Sequence, residues 1–380
     1  MGEWKEYKLG DIASFEKENI SVSEIKIDNY ISTENMIPNK GGVVIASKKP
    51  NAGLITRYYK GEILISNIRP YFKKIWLANK DGGCSKDVLC IKADSFLVNN
   101  VYLYYLLCCD IFFEYVMLGS KGCKMPRGDK SHIMSYSIIL PPLSEQKRIA
   151  SILGSLDDKI DLLHHENETL EAMAETLFRK WFIEDAKDEL SETILGDVVE
   201  TTSGGTPSRK NEKYYQNGTI DWVKSKELNG TFLLETEEKI TEDAVANSSA
   251  KFIPENSVLI AMYGATVGEN AIIAKEMTCN QAICALIPNE NYPYTYLFLW
   301  AKLMKEEFIN LACGAAQQNI SQVLIKQQQV CSDIDAVKQF HSTTEPLFNK
   351  IKQNEIQLSS LKDIKNMILP KLMNNESINE

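Results

Sequence analysis

The chain carries one plan twice, with a period of about 190 residues. Each half opens on an apolar-Gly-Asp-apolar step, Leu9-Gly10-Asp11-Ile12 and Leu195-Gly196-Asp197-Val198. Further on, Ile63-Leu64-Ile65-Ser66 corresponds to Val258-Leu259-Ile260-Ala261. Cys84-Ser85-Lys86-Asp87-Val88-Leu89-Cys90 corresponds to Cys279-Asn280-Gln281-Ala282-Ile283-Cys284, one residue shorter. Tyr102-Leu103-Tyr104 and Tyr296-Leu297-Phe298 each open an apolar helical stretch. The offsets drift between 186 and 195, as loop insertions produce. One short match arises by chance, but this many in order require two copies of one unit. A length of 380 residues agrees, being too long for one ordinary core.

Each copy has two parts. The first mixes short β-branched runs (Gly42 to Ala46, Glu62 to Ser66, Val88 to Lys92, Ser257 to Met262) with Gly and Pro punctuation and one apolar helix, which predicts a globular α+β lobe. The second is one long helix. The expected boundaries are a first lobe at 1–143, a central helix at 144–187, a second lobe at 188–335, a terminal helix at 336–375 and a tail at 376–380. Pro141-Pro142 ends the first lobe, with Ser144 as the expected N-cap and Glu145 in the first turn.

From there apolar residues alternate in steps of four and three: Ile149, Leu153, Leu156, Ile160, Leu163, Asn167, Leu170, Ala174, Leu177 and Trp181. The terminal copy gives Val337, Phe340, Thr344, Leu347, Ile351, Asn354, Leu358, Leu361, Lys365, Ile368 and Leu372. Two seams in one chain most simply bury each other. Because a lobe lies between them, an antiparallel coiled-coil pair is expected, with the lobes held about 50 Å apart at about 1.5 Å rise per residue. Asn167 and Asn354 interrupt the seams, either as tolerated polar positions or as residues that fix register.

The net charge of −9 argues against a polyanionic partner, since neutralising phosphates takes Lys and Arg. Its distribution qualifies that. Residues 1–143 hold 19 basic and 15 acidic side chains, 144–190 hold 6 and 12, 191–335 hold 11 and 19, and 336–380 hold 6 and 5. Within 40–80 the cations Lys40, Lys48, Lys49, Arg57, Lys60, Arg69, Lys73, Lys74 and Lys80 meet only Glu62. A solvated face mixes signs, so this stretch is a candidate phosphate contact. The nine cysteines form no C-x-x-C pair and read as reduced core thiols, and His132, His164, His165 and His341 form no ligand cluster, so no metal is expected. No run approaches the roughly 18 apolar residues of a membrane span and no export signal appears, which makes a soluble, cytoplasmic protein without a membrane partner the expectation.

Searches for catalysis come back empty. Gly264-Ala265-Thr266-Val267-Gly268 lacks the Lys and the spacing of a phosphate loop, and no G-x-S-x-G, H-E-x-x-H or Asn-Pro-Pro-aromatic motif occurs. Asp157-Asp158-Lys159 falls on polar positions of the heptad helix and reads as a solvated face. The lobes instead carry loops rich in groups that bond to DNA. In the first these are Ser66, Asn67, Arg69, Tyr71, Lys73 and Lys74, then Lys124, Arg127 and Lys130 in the basic loop Lys121 to Lys130. In the second they are Ser203, Thr206, Ser208 and Arg209, then Lys224 and Lys226, then Tyr263 and Thr266. Gln317, Gln318 and Asn319 occupy the place of the first lobe's basic loop. Arg can read guanine and Asn adenine through paired hydrogen bonds, while Ser and Lys suit phosphates.

Over essentially its full length the sequence resembles the specificity subunits of type I restriction-modification systems. The likeness rests on the Leu-Gly-Asp starts, Ser203-Gly204-Gly205-Thr206-Pro207, Ser66-Asn67-Ile68-Arg69-Pro70, Gly314 to Ile320, and above all Pro141-Pro142-Leu143-Ser144-Glu145-Gln146-Lys147-Arg148-Ile149-Ala150. The resemblance implies two target-recognition domains that each read half of a split, asymmetric site in double-stranded DNA, and paired helices between them. It also implies two methyltransferase subunits supplying S-adenosylmethionine chemistry, motor-nuclease subunits using ATP and magnesium, and no catalysis or cofactor in this chain. The first lobe has Ala13-Ser14-Phe15-Glu16-Lys17 where the second has its Ser-Gly-Gly-Thr-Pro motif, so a phosphate role is not carried there. An orphan or anti-restriction scaffold of the same fold is the binding-only rival, separable by neighbouring genes. A nuclease is the enzymatic rival, separable by DNA cleavage with the chain alone.

Overall fold

The computed structural model describes residues 4–122, 124–184, 192–313 and 319–373. It divides into two compact units, Met1–Lys159 with Leu361–Glu380, and Ile160–Ser360.

In the first unit one antiparallel sheet has the order Ala13–Phe15, Val88–Ala93, Ile63–Ser66, Ile75–Leu77. Alternation along its strands sorts the side chains between two cores. Ile63, Ile65, Leu89 and Ile91 face a core shared with the helices Asn100–Leu107 and Asp110–Leu118, whereas Leu64, Val88 and Cys90 pack with Tyr58 and Trp76. A second sheet orders Asn19–Ser21, Leu54–Tyr58, Gly82–Cys84 and Tyr30–Ile31, and a small ribbon pairs Lys5–Lys8 with Ser137–Leu140.

The second unit repeats the plan. Glu200–Ser203, Ile283–Ile287, Val258–Ala261 and Asn270–Ile273 take the same order, extended by Phe232–Leu233. Val258, Ile260, Cys284 and Leu286 face one core, and Leu259, Ala261, Ile283 and Ala285 the other. Glu192–Ile194 with Gln329–Cys331 repeats the ribbon.

The long helices run Leu143–Arg179 and Ile334–Met373. In the second unit Phe178 and Trp181 pack on Phe340, while Asn167 meets Asn354, so the helices are antiparallel there. Asn167 and Asn354 are both buried, and Asn354 Nδ2 donates to Asn167 Oδ1 at 2.8 Å. Asn167 Nδ2 also donates to Glu355 at 2.8 Å, and Asn354 Nδ2 to Glu166 at 2.9 Å. The seam departs from the expected one in two places: Phe178 and Phe348 are buried beside the half-buried Leu177 and Leu347. The lobe covers each helix as well as its partner helix does, through Tyr296, Leu297 and Phe298, so the apolar stripe is wider than a pure a/d seam.

In the first unit Asp157 accepts a hydrogen bond from Tyr105 Oη at 2.7 Å and pairs with Lys365 Nζ at 2.5 Å. It is therefore a structural anchor rather than part of a solvated face, and it explains a Lys in the terminal seam. Ser144 is not the N-cap, because the Pro142 carbonyl accepts from the N–H groups of Glu145 and Gln146 and the helix starts at Leu143. Gln146 is the residue that ties lobe to helix. It is 1 % exposed, accepts from Asn99 N at 2.9 Å and donates to the carbonyls of Pro141 and Leu97 at 2.9 and 3.2 Å. Gln146→Leu strands those groups and should destabilise the first unit by roughly 2–4 kcal/mol. Hydrogen exchange of the first unit's sheet in urea checks this, and unchanged protection would contradict it.

Among the described residues no single helix is long and apolar enough to cross a membrane. The bent pair Asn100–Leu107 and Asp110–Leu118 passes by length and composition alone, and its Tyr102, Leu103, Phe112 and Phe113 lie in the first unit's core.

Candidate nucleic-acid interface

In the first lobe three loops meet around Arg69. Ile68 and Arg127 form a bridge, Arg69 N donates to Pro126 O at 2.8 Å, and Gly128 N donates to Asn67 O at 3.2 Å. The turn at Asn39 and Lys40 joins as well, because Asn39 N and Lys40 N donate to Phe72 O and Lys73 O. Asn39, Lys40, Arg69 and Lys73 all hold positive φ, at 55°, 64°, 51° and 51°. Non-glycine residues adopt that conformation at a cost, and a cluster of them marks a backbone held in one shape by its surroundings. Arg69 Nε and Asn67 Oδ1 are both buried and have no hydrogen-bond partner among the described residues. Such groups are costly in a finished core and are suited to completion by an outside partner.

The other side chains of this lobe divide by what they already hold. Ser66 is 3 % exposed and its hydroxyl donates to Ile68 O at 3.0 Å, so it braces the turn and does not face a ligand. Lys74 is likewise committed, donating to Thr33 O at 2.6 Å, and burial draws its ammonium below the usual lysine range. Lys73 shares Asp110 with Lys40, at 3.0 and 2.7 Å, and the hydrogen bond from Lys40 leads in holding Asp110 below the usual carboxylate range. Arg127 pairs with Asp87 at 3.2 Å but remains largely exposed. Tyr71, Lys124 and Lys130 are exposed, and Lys130 lies over the Phe15 ring at 5.7 Å. At the foot of the basic loop Lys121 and the amide of His132 hold the Asp129 carboxyl down at about 2.

The 40–80 stretch is thus not one free cationic patch. Lys49 and Lys80 cap backbone carbonyls and Arg57 pairs with Glu18 at 3.0 Å. Sequence counting missed these partners because the carboxylates of Glu18 and Asp110, and the carbonyls of Val22 and Asp28 that hold Lys49 and Lys80, lie outside that stretch.

The second lobe rebuilds the bridge at the matching place, with Tyr263 paired to Asn319 and Ile320 N donating to Met262 O at 2.9 Å. Tyr263 is exposed, and Thr266 donates to its carbonyl at 3.0 Å. Gln317 and Gln318 lie outside the described residues. The Ser-Gly-Gly-Thr-Pro segment passes close over the sheet: a Cβ on Gly204 would meet Cys279 O at 1.8 Å, and Gly205 N donates to that carbonyl at 2.9 Å. Gly204→Ala should therefore displace the loop and abolish recognition by the second lobe, and methylation retained at native level would contradict this close approach. Ser203 donates to Gln322 at 2.8 Å and Thr206 donates to Gln281, two glutamines that sequence reasoning passed over. Ser208 and Arg209 are exposed, and the Arg209 guanidinium stacks on Tyr215 at 4.2 Å and Trp222 at 5.1 Å. Arg209 forks onto Glu238, Lys224 meets Glu237 and Glu238, and Lys226 meets Glu237.

Burial raises the described thiols. Cys84, Cys108, Cys279 and Cys284 are each pushed up to about 12, and no described cysteine is paired. Among the described residues no group of three or more His, Cys, Asp or Glu is placed to hold a metal ion.

The family model described as "Type I restriction modification DNA specificity domain" matches residues 1–172 and again 188–331. The type I restriction enzyme HindI specificity subunit of Haemophilus influenzae is 24 % identical over 99 % of this chain and 100 % of its own. The MjaIX specificity subunit of Methanocaldococcus jannaschii is 29 % identical over 72 % and 68 %. The crystal structure of a type I restriction-modification S subunit from M. genitalium superposes with a TM-score of 0.66, at 16 % identity, over 98 % of this chain and 96 % of that one.

Proposed function

Because the chain belongs to the type I restriction-modification DNA specificity family, and is its sequence-reading component rather than an enzyme, we propose that each lobe reads one half of a split, asymmetric DNA site. The observation that carries this reading is the doubled bridge: Ile68 with Arg127 in one lobe, Tyr263 with Asn319 in the other, each joining the loop after an equivalent strand to a polar loop before the ribbon. A single reading surface has no need of two such copies.

The antiparallel helices act as the ruler between the half-sites, in a chain that two methyltransferase subunits and motor-nuclease subunits join. Those subunits bring S-adenosylmethionine, ATP and magnesium. Asn167 and Asn354 set the ruler's register, supported by their reciprocal bonds to Glu355 and Glu166. Changing both Asn to Leu should keep the helices but give methylated sites of two gap lengths instead of one. A single unchanged gap would reduce the pair to tolerated polar residues.

Replacing residues 192–331 by the second lobe of a relative with a known target tests the split reading. One half of the methylated sequence should change and the other remain. A change in both halves would overturn it.

A further inference from the structure

The second lobe holds Arg209, Lys224 and Lys226 already paired with carboxylates, and the arrangement is built rather than incidental. Strands Ile220–Val223 and Lys239–Ile240 are antiparallel with Asp221 opposite Lys239, so the residues leaving the first lie across from those entering the second. Lys226 Nζ stands 2.6 Å from Glu237, and Lys224 Nζ stands 3.5 Å from Glu237 and 3.4 Å from Glu238. Arg209 forks onto both oxygens of Glu238, with its Nη2 at 2.9 Å. The buried Glu227 clamps the two segments, accepting from the backbone N–H of Lys224 at 2.8 Å and of Glu237 at 2.7 Å. Arg209 is fixed in turn by its stacking on Trp222, whose indole N–H donates to Gly205 O at 3.0 Å.

We propose that Glu237 and Glu238 are specificity-determining residues: their carboxylates hold the places on Arg209, Lys224 and Lys226 that DNA phosphates would take, and so suppress binding to DNA lacking the correct half-site. This rests on the reading of the second lobe as a DNA-contacting surface. Carboxylate and phosphate compete for the same guanidinium fork and the same ammonium donors. Exposed ion pairs are weak, so a phosphate alone gains little by displacing one, whereas base contacts at the correct site add the difference.

The test uses the full-length chain and a fluorescent random-sequence duplex, titrated across a range of salt. Glu237→Gln with Glu238→Gln should bind it about tenfold tighter, with a log–log salt slope steeper by about two, as roughly two more phosphates are neutralised. Glu237→Gln alone spares the Arg209 fork and should give a smaller gain in the same direction. Unchanged affinity and slope in both variants overturn the proposal. So does a gain that persists when Arg209→Ala, Lys224→Ala and Lys226→Ala are added, because that is the mark of overall charge alone. Lys224→Ala with Lys226→Ala in the otherwise native chain separates the two readings on the chain's own methylated site. No loss there removes the lobe as a DNA surface, while a loss there without a gain from the Gln changes removes only the carboxylates' role.

Discussion

Inserting seven residues into both long helices, between Lys159 and Ile160 and between Ser360 and Leu361, is expected to lengthen the unread gap of the target by about three base pairs. Seven residues add about 10.5 Å of helix at about 1.5 Å each, and base pairs rise about 3.4 Å. The insertion preserves the heptad phase, so the seams still meet. Both helices must change together, because Asp157 with Lys365 and Asn167 with Asn354 fix one alignment in each unit. Both half-sequences should remain as they were, since no loop is touched. Sequencing of methylated bases reads the outcome directly. An unchanged gap would show that the helices do not set the spacing, and altered half-sequences would show that the lobes do not read independently.

Arg69→Ala is expected to abolish discrimination in the half-site read by the first lobe while leaving the other half intact. A guanidinium making two bonds to a guanine edge contributes about 1–3 kcal/mol of discrimination, which is roughly fivefold to more than a hundredfold in affinity for the correct base. The backbone at Arg69 has φ of 51°, a conformation that costs Arg and Ala alike because both carry a Cβ. Arg69→Gly accepts that conformation freely and separates side-chain loss from strain. Both variants should relax the same half-site. Lys124→Ala or Lys130→Ala should instead weaken binding to all sequences alike and reduce the salt slope by about one. Equal loss at both half-sites from Arg69→Gly would mark a folding defect and remove Arg69 as a reader.

The repeat made much of the fold legible, because buried strand and helix residues recur in order: Ile63 to Ser66 with Val258 to Ala261, and the paired seams. Periodicity located the starts of the long helices to within two residues but not their full buried face. A heptad describes contact with one partner helix, whereas Phe178 and Phe348 are buried by the lobe as well. Gln146 could not be read because its partners are the backbone groups of residues 97, 99 and 141, which leave no trace in side-chain pattern. The candidate interface was legible as loops and opaque as chemistry. Arg69 and Asn67 were visible as residue types, but their unpaired buried atoms and the left-handed backbone are properties of three loops meeting. Ser66 and Lys74 looked the same in sequence and are committed inside the lobe. Countercharges were the largest blind spot, since Glu237 and Glu238 reach Arg209 and Lys224 only through strand register.

One chain reading two separate short sequences at a fixed distance is the core of the proposed function. Single-molecule sequencing of methylated bases in cells carrying and lacking this gene tests it most directly. The expected result is a motif of two short, unlike halves separated by a gap of constant length and no sequence preference, lost when the gene is removed. A continuous motif that depends on the gene, or a split motif that survives its removal, would contradict it.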